Sequence, residues 1–207
     1  MSNYLASPQS SPKAGILLLH AWWGLNDFFK ELSDKLANEG YLVIAPDLYD
    51  GKIAQTIPEA EKLVSKIKRK NSAELILASL DELKSQPGIE KIGVIGFSMG
   101  AFWSMWLNEE RPADLSATVL FYGARGGKYL ETKSAFCAHF AETDPYESES
   151  SKKALEKAFK SGGKTYEFYT YPGTGHWFCE NDRPEFNPEA AELAWQRTLA
   201  FLKNTLS

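Results

Sequence analysis

Three residues of this sequence have the types and the order that nucleophilic catalysis requires, and the first of them is a serine. Ser98 lies at the centre of a glycine-x-serine-x-glycine pattern at residues 96–100, between an apolar run and a helical pattern. On such a strand-to-helix turn, small flanking residues let the chain fold back tightly, and the hydroxyl is held clear of the sheet. The alternative is a glycine-rich turn of a nucleotide-binding sheet, but the sequence contains neither G-x-G-x-x-G nor a Walker lysine. We therefore predict that Ser98 is a nucleophile.

A serine nucleophile needs a base, and the sequence offers three histidines. His176 follows a loop at residues 172–175 that contains a proline and two glycines, so it can reach over the edge of a sheet. His139 lies inside an apolar run, which favours a buried histidine of the core. His20 ends the first apolar run, where we expect it to brace the following loop by a hydrogen bond. The predicted base is His176.

The acid that orients this base is predicted to be Asp144, which follows the fifth apolar run. The chain order Ser98, Asp144, His176 is that of the serine–acid–histidine triad on an α/β sheet. A carboxylate in this position fixes the imidazole tautomer and stabilises the imidazolium. An Asp-Pro pair is also an ordinary turn signal, and Glu142 is the nearest alternative acid.

The developing oxyanion needs two N–H donors. One should be the residue after the nucleophile, Met99, and the other should come from the loop after the first strand, at residues 20–24. Within that loop we predict Trp22, with Trp23 as the neighbouring alternative. The residues expected to line the substrate pocket are Trp23, Tyr122 and Trp177.

The spacing of apolar residues predicts the elements that must position these side chains. Short apolar runs are typical of strands covered on both faces, and longer amphipathic stretches alternate with them. This alternation predicts an α/β fold with a mostly parallel sheet of six or more strands, flanked by helices on both faces. The predicted strands are 15–20, 41–45, 92–96, 117–122, 135–140 and 165–171. The predicted helices are 27–38, 58–83 with a break at 71–72, 98–107, 150–160 and 188–202.

Length, charge and composition restrict the class of protein. The 207 residues suit one domain spanning 1–207, with a polar N-terminal segment at 1–13. A net charge of -4 argues against a nucleic-acid partner, and the basic run at 66–70 is interpreted as a solvated helix face. No apolar stretch is long enough for a membrane span or a signal peptide, which predicts a cytoplasmic protein without a membrane partner. The expected partner is a small-molecule ester, and the expected assembly is a monomer or weak homo-oligomer.

Short motifs lie at residues 20–26, 40–49, 93–100, 121–123, 144–145 and 175–178. Taken together and in order, they resemble the dienelactone hydrolase family from about residue 15 to residue 202. The resemblance implies a compact α/β-hydrolase fold without a large cap domain and without a metal or organic cofactor. It places Ser98 where dienelactone hydrolase has a cysteine, matches Asp144 and His176 to the family's acid and base, and matches Trp22 to its second oxyanion donor.

Two departures from the family bear on the substrate. Ala21 stands where dienelactone hydrolase has a glutamate that manages its thiol, and Glu180 stands where it has an arginine that holds the substrate carboxylate. We expect Glu180 to repel a carboxylate, so that uncharged esters are better substrates than anionic lactones. Cations that could replace the arginine are Lys52, Arg125 and Lys128.

The sequence therefore predicts a serine hydrolase that cleaves a small carboxylic ester or lactone through an acyl-serine intermediate. A thioesterase or amidase with the same triad is the enzymatic alternative. A catalytically silent fold that binds a ligand in an aromatic pocket is the alternative from another class.

Overall fold

A computed structural model describes residues 3–207, and a seven-stranded sheet forms its centre. The strand order is β1-β3-β2-β4-β5-β6-β7, in which β1 runs antiparallel to β3 and the six other strands are parallel. The strands are β1 (Tyr4–Ala6), β2 (Ala14–Leu19), β3 (Leu42–Ala45), β4 (Lys91–Phe97), β5 (Ala117–Phe121), β6 (Ala135–Ala141) and β7 (Tyr166–Tyr171).

Helices cover both faces of this sheet, as the sequence predicts. They are α1 (Asp27–Asn38), α2 (Ile57–Lys66), α3 (Arg69–Lys84), α4 (Met99–Glu110), α5 (Glu149–Ser161) and α6 (Pro188–Leu206). Alternate strand residues face opposite sides of the sheet: Ile16 and Leu18 pack with α1 and α6, whereas Leu17 and Leu19 pack with α3 and α4. Each fully buried side chain of this kind contributes about 1.5–3 kcal/mol. Within residues 3–207, no helix is long and apolar enough to cross a bilayer.

The N-terminal segment was predicted only as a polar stretch, but the structure shows that it contains β1. Tyr4 pairs with Ala45 and Ala6 pairs with Val43, so β1 adds the antiparallel edge strand to the sheet. An edge strand is held by main-chain hydrogen bonds and buries little, so it does not need an apolar run. Only Ala6 of the three residues is buried.

The helix break also differs from its prediction, since it falls at Ile67 and Lys68 rather than at residues 71–72. Ile67 has an extended backbone (φ -60°, ψ 123°), which ends α2. The two helices bury different amounts of surface: α2 buries Ala60 alone, whereas α3 buries a full stripe against the sheet. The basic run at 66–70 therefore spans the junction of the two helices.

The order of the strands places the functional loops along one edge of the sheet. From β2, the sheet grows towards β3 and β1 on one side and from β4 to β7 on the other. A crevice forms at such a switch point, outside the carboxyl ends of the parallel strands. Ser98 follows β4, and the loop with Trp22 follows β2, so both lie at this crevice.

Candidate active site

The turn between β4 and α4 holds Ser98 in a strained backbone conformation. Its φ is 50° and its ψ is -107°, a region that costs about 1–3 kcal/mol for a residue with a side chain. The Ser98 amide donates to the carbonyl of Phe121 over 2.9 Å, which ties the turn to β5. A Cβ at Gly100 would overlap the carbonyl of Leu19, and one at Gly96 would overlap the carbonyl of Gly100. Both glycines are needed because the backbone itself occupies the space.

The structure brings the three predicted catalytic side chains together. His176 Nε2 lies 2.9 Å from Ser98 Oγ, and His176 Nδ1 lies 2.7 Å from Asp144 Oδ2. A carboxylate only accepts, so Nδ1–H donates to Asp144, and Nε2 is left to accept the serine proton. The other oxygen, Asp144 Oδ1, accepts from the amides of Tyr146 at 2.9 Å and Glu147 at 3.0 Å. Both the imidazole and the carboxylate are buried, which fixes their orientation.

The alternative acid and the other two histidines have different partners. Glu142 accepts from the amide of Gly173 and so holds the loop that precedes His176. His20 is buried with Nδ1 at 2.6 Å from the carbonyl of Ala21, while its Nε2 accepts from the amide of Leu48. Burial lowers the pKa of His20, so a neutral ring braces the loop after β2, as predicted.

His139 is a core histidine, as its apolar surroundings indicate. Its Nδ1 lies 2.8 Å from the hydroxyl of Tyr171, and its Nε2 lies 3.0 Å from the hydroxyl of Thr198. Burial lowers the pKa of His139 to about 3, so the ring is neutral.

The two predicted oxyanion donors lie on segments that touch each other. Met99 is the first residue of α4, where the helix dipole favours negative charge. Gly100 packs against the carbonyls of Leu19 and His20, which puts the loop that carries Trp22 against the start of α4. Within residues 3–207, neither the Met99 amide nor the Trp22 amide donates to a backbone carbonyl. Both N–H groups are therefore available to a ligand.

Aromatic rings surround the imidazole, and the most open of them belongs to Tyr146. Its ring centre lies 5.0 Å from that of His176 and 5.2 Å from that of Trp177, and the residue is 48% exposed. Trp177 is 4% exposed and Trp23 is 2% exposed, because the two rings pack on each other and Arg183 covers Trp23. Tyr146 was not predicted as a site residue, since an aromatic residue in a turn carries no periodic signal.

Tyr122 supports the imidazole from the side away from solvent. Its ring centre lies 4.9 Å from that of His176, and it is almost fully buried. Its φ of 37° is unusual for a residue with a side chain and turns the ring inward after β5. Of the three residues predicted to line the pocket, only Trp177 belongs to the wall of the cavity beside His176. Trp23 and Tyr122 lie beneath that wall.

Comparison with known proteins identifies the family. The profile of the dienelactone hydrolase family matches residues 1–206. The chain belongs to the dienelactone hydrolase family. Protein usf of Aquifex pyrophilus is 31% identical, with 99% of this chain and 94% of that protein covered. A protein of Saccharolobus solfataricus named "Putative carboxymethylenebutenolidase" is also 31% identical, covering 97% of this chain and 92% of its own length.

A solved structure of the same family supports the fold. It is a crystal structure from Klebsiella pneumoniae subsp. pneumoniae described as "Putative Dienelactone Hydrolase". The TM-score is 0.84 at 24% identity, and the match covers 97% of this chain and 92% of the other. At that identity the likeness concerns the fold, and the predicted α/β-hydrolase architecture is confirmed.

Glu180, which the resemblance places at the family's arginine position, points into the protein interior. The residue is fully buried, and its Oε1 accepts from the hydroxyl of Tyr122 over 2.7 Å. Burial raises the pKa of Glu180 to about 8, so the carboxyl group is mostly protonated near neutral pH. The expectation that Glu180 repels a substrate carboxylate is therefore wrong, because the side chain turns into the protein.

None of the three cations considered as replacements for the family's arginine lies in the wall of the cavity beside His176. Arg125 pairs with Glu109 and stacks over Phe102, 5.2 Å from the ring centre. Lys52 lines a separate groove beside α2 and α3. Within residues 3–207, no group of three or more His, Cys, Asp or Glu residues could hold a metal ion.

Proposed function

We propose that this member of the dienelactone hydrolase family is a serine hydrolase that cleaves a small carboxylic ester through an acyl-serine intermediate. One observation carries the proposal: Ser98 Oγ, the imidazole of His176 and the carboxylate of Asp144 form one hydrogen-bonded chain, with distances of 2.9 and 2.7 Å. A serine whose proton can pass to an oriented imidazole is an activated nucleophile. Membership of a family of ester and lactone hydrolases supports the same reaction class.

The first half-reaction transfers the acyl group to the serine. As Ser98 Oγ attacks the carbonyl carbon, its proton passes to His176 Nε2, and the carbonyl oxygen becomes an oxyanion. The amides of Met99 and Trp22 donate to that oxyanion. When the tetrahedral species collapses, the bond to the alcohol oxygen breaks, and His176 returns the proton to the leaving alcohol.

The second half-reaction frees the enzyme. Water takes the place of the alcohol, His176 removes one of its protons, and the resulting hydroxide attacks the acyl carbon. The bond to Ser98 Oγ breaks, the proton returns to that oxygen, and the carboxylic acid leaves. A lactone follows the same steps, except that the alcohol stays attached to the acyl group.

Activity-based labelling tests this proposal. A fluorophosphonate should label the wild-type protein at Ser98, and the protein should hydrolyse short aryl or alkyl esters. Ser98→Ala should lose both properties while its circular dichroism spectrum is unchanged. The matched control Ser85→Ala changes an exposed serine at the end of α3 and should keep both. Labelling that persists in Ser98→Ala would show that another residue is the nucleophile.

A further inference from the structure

A cavity of about 500 Å³ lies beside the imidazole, and its charged groups have one sign. His176, Tyr146 and Trp177 form one part of the wall, and Glu142 and Glu185 contribute two carboxylates. No lysine or arginine is among the described residues of this wall. Both carboxylates are exposed, and surface groups of one sign attract ligands of the opposite sign, most strongly at low ionic strength.

The aromatic part of the wall suits a cation as well. Tyr146 leaves about half of its surface open, and its ring is held by contacts with Trp22, Trp177 and His176. The face of a tyrosine ring attracts ammonium groups through its quadrupole. The pKa of the Tyr146 phenol is raised, first by burial and then by the negative charges of Glu185, Glu61 and Asp144. The negative potential of these carboxylates therefore reaches the ring.

The position of the cavity indicates which part of an ester would occupy it. In the proposed reaction, His176 delivers its proton to the oxygen of the leaving alcohol. The alcohol oxygen must therefore lie within reach of His176, and His176 contributes to the cavity wall. Trp177, in the same wall, presents the edge of a packed indole, and its N–H is buried.

We propose that the preferred substrates are esters whose alcohol portion carries a positive charge, such as esters of amino alcohols or of quaternary ammonium alcohols. This inference rests on the proposed function and specifies its substrate class. The cationic group lies against the Tyr146 ring, and the carboxylates of Glu142 and Glu185 balance its charge. An anionic alcohol portion is repelled by the same two carboxylates, which places discrimination against anions in this cavity rather than at Glu180.

Two matched esters test the inference: acetylcholine, and neohexyl acetate, in which a carbon atom replaces the quaternary nitrogen. At low ionic strength, kcat/KM of the wild-type protein should favour acetylcholine by about tenfold. The preference should shrink at about 0.15 M salt because surface charges are then screened. An equal or better rate with neohexyl acetate at low salt would overturn the inference.

Variants locate the source of the preference. The double variant Glu142→Gln/Glu185→Gln should reduce the ratio of the two kcat/KM values to about one, since amides attract the cation weakly. Tyr146→Leu should reduce the ratio in part, because it removes the ring but keeps the carboxylates. The matched control Glu90→Gln lies before β4 at the opposite edge of the sheet and should keep the wild-type ratio. A ratio that is unchanged in the double variant would contradict the assignment.

A competition experiment on the wild-type protein does not depend on how the variants fold. Choline should inhibit the hydrolysis of para-nitrophenyl acetate at about tenfold lower concentration than neohexyl alcohol does. Hydrolysis of acetylcholine and neohexyl acetate with equal kcat/KM would overturn this inference but not the proposed function. Loss of all ester hydrolysis together with loss of fluorophosphonate labelling would overturn the proposed function, and this inference with it.

Discussion

At the scale of single residues, the site depends on two carboxyl groups in opposite environments. Asp144 accepts two backbone amides and the imidazole N–H, a set of partners suited to a charged carboxylate. Glu180 has one partner, the Tyr122 hydroxyl, and its second oxygen has none within residues 3–207. The first group orients the imidazole directly, whereas the second holds the tyrosine that packs against it.

Removal of the Asp144 charge should nearly abolish turnover. In Asp144→Asn, an amide N–H group faces His176 Nδ1 and favours the tautomer whose Nε2 already carries a proton. Such a ring cannot accept the Ser98 proton, so kcat should fall by about 10⁴-fold with little change in KM. Steady-state kinetics with an aryl acetate measure both constants. The exposed residue Asp81 provides the control Asp81→Asn, and a kcat within tenfold of wild type for Asp144→Asn would contradict the assigned role.

The buried Glu180 should make stability depend on pH. Its folded pKa is raised to about 8, so above the unfolded value of about 4.3 the folded state keeps a proton that the unfolded state has lost. The proton on Glu180 therefore stabilises the folded state fully at pH values below about 4.3, and this stabilisation is lost as the pH rises to about 8. Glu180→Gln keeps the Tyr122 hydrogen bond without the charge. The unfolding free energy of Glu180→Gln minus that of wild type should therefore be about 2–4 kcal/mol larger at pH 9 than at pH 5.

Urea unfolding of Glu180→Gln and of wild type at the two pH values measures this difference. The exposed control Glu90→Gln should follow the wild-type curve at both. If Glu180→Gln also follows the wild-type curve, the carboxyl group is not held in its neutral form.

At the scale of elements, the turn between β4 and α4 is packed so closely that a side chain at Gly96 or Gly100 would overlap the backbone. The start of α4 packs on the end of β2 through Gly100, where any side chain would overlap a carbonyl group. The same contact sets the separation between the Met99 amide and the loop that carries Trp22. The positions of the two oxyanion donors therefore depend on Gly100, which takes no part in the reaction itself.

Gly100→Ala should lower both stability and turnover. Because the overlapping group is backbone, α4 or the loop after β2 must shift, which costs about 2–4 kcal/mol of unfolding free energy. The shift also moves the two oxyanion donors apart, so kcat should fall more than KM changes. Gly126→Ala is the matched control, since a Cβ there meets nothing within 4 Å. Wild-type stability in Gly100→Ala would contradict the packing described for this turn.

The elements that the sequence predicts well are those with a repeated physical signal. The runs that become β2 to β7 are apolar or alternating because they are covered by helices or lie at an edge, and α1 has both its cap and its apolar stripe. β1 was missed because its main chain alone pairs with β3. Ser98 was predictable from its glycine-x-serine-x-glycine turn and His176 because the chain has three histidines, and the order of the triad follows from the fold.

The direction of a side chain in a loop was not predictable in the same way. Glu180 turns inward because the loop after His176 folds back on itself through Trp177, which has a φ of 68°. Neither that turn nor the exposure of Tyr146 leaves a pattern in the residue types. The fold and the three catalytic candidates were therefore predictable from the sequence. The aromatic and acidic lining of the cavity beside His176 was not.

At the scale of the whole molecule, the sheet assembles the site from four separate segments. The loops after β2, β4, β6 and β7 meet at one edge, and helices on both faces fix the strands that carry them. In the proposed reaction, the acyl group of the ester is transferred at this edge to Ser98 and then to water. Only a covalent intermediate distinguishes that route from direct attack by water.

Mass spectrometry of the acyl-enzyme tests this claim most directly. The wild-type protein is mixed with excess para-nitrophenyl acetate, quenched with acid within the first turnovers and digested. We predict a gain of one acetyl group on the peptide that contains Ser98, together with a burst of nitrophenolate that matches the amount of enzyme. Acetylation of a different residue, or turnover by Ser98→Ala at the wild-type rate, would contradict the account.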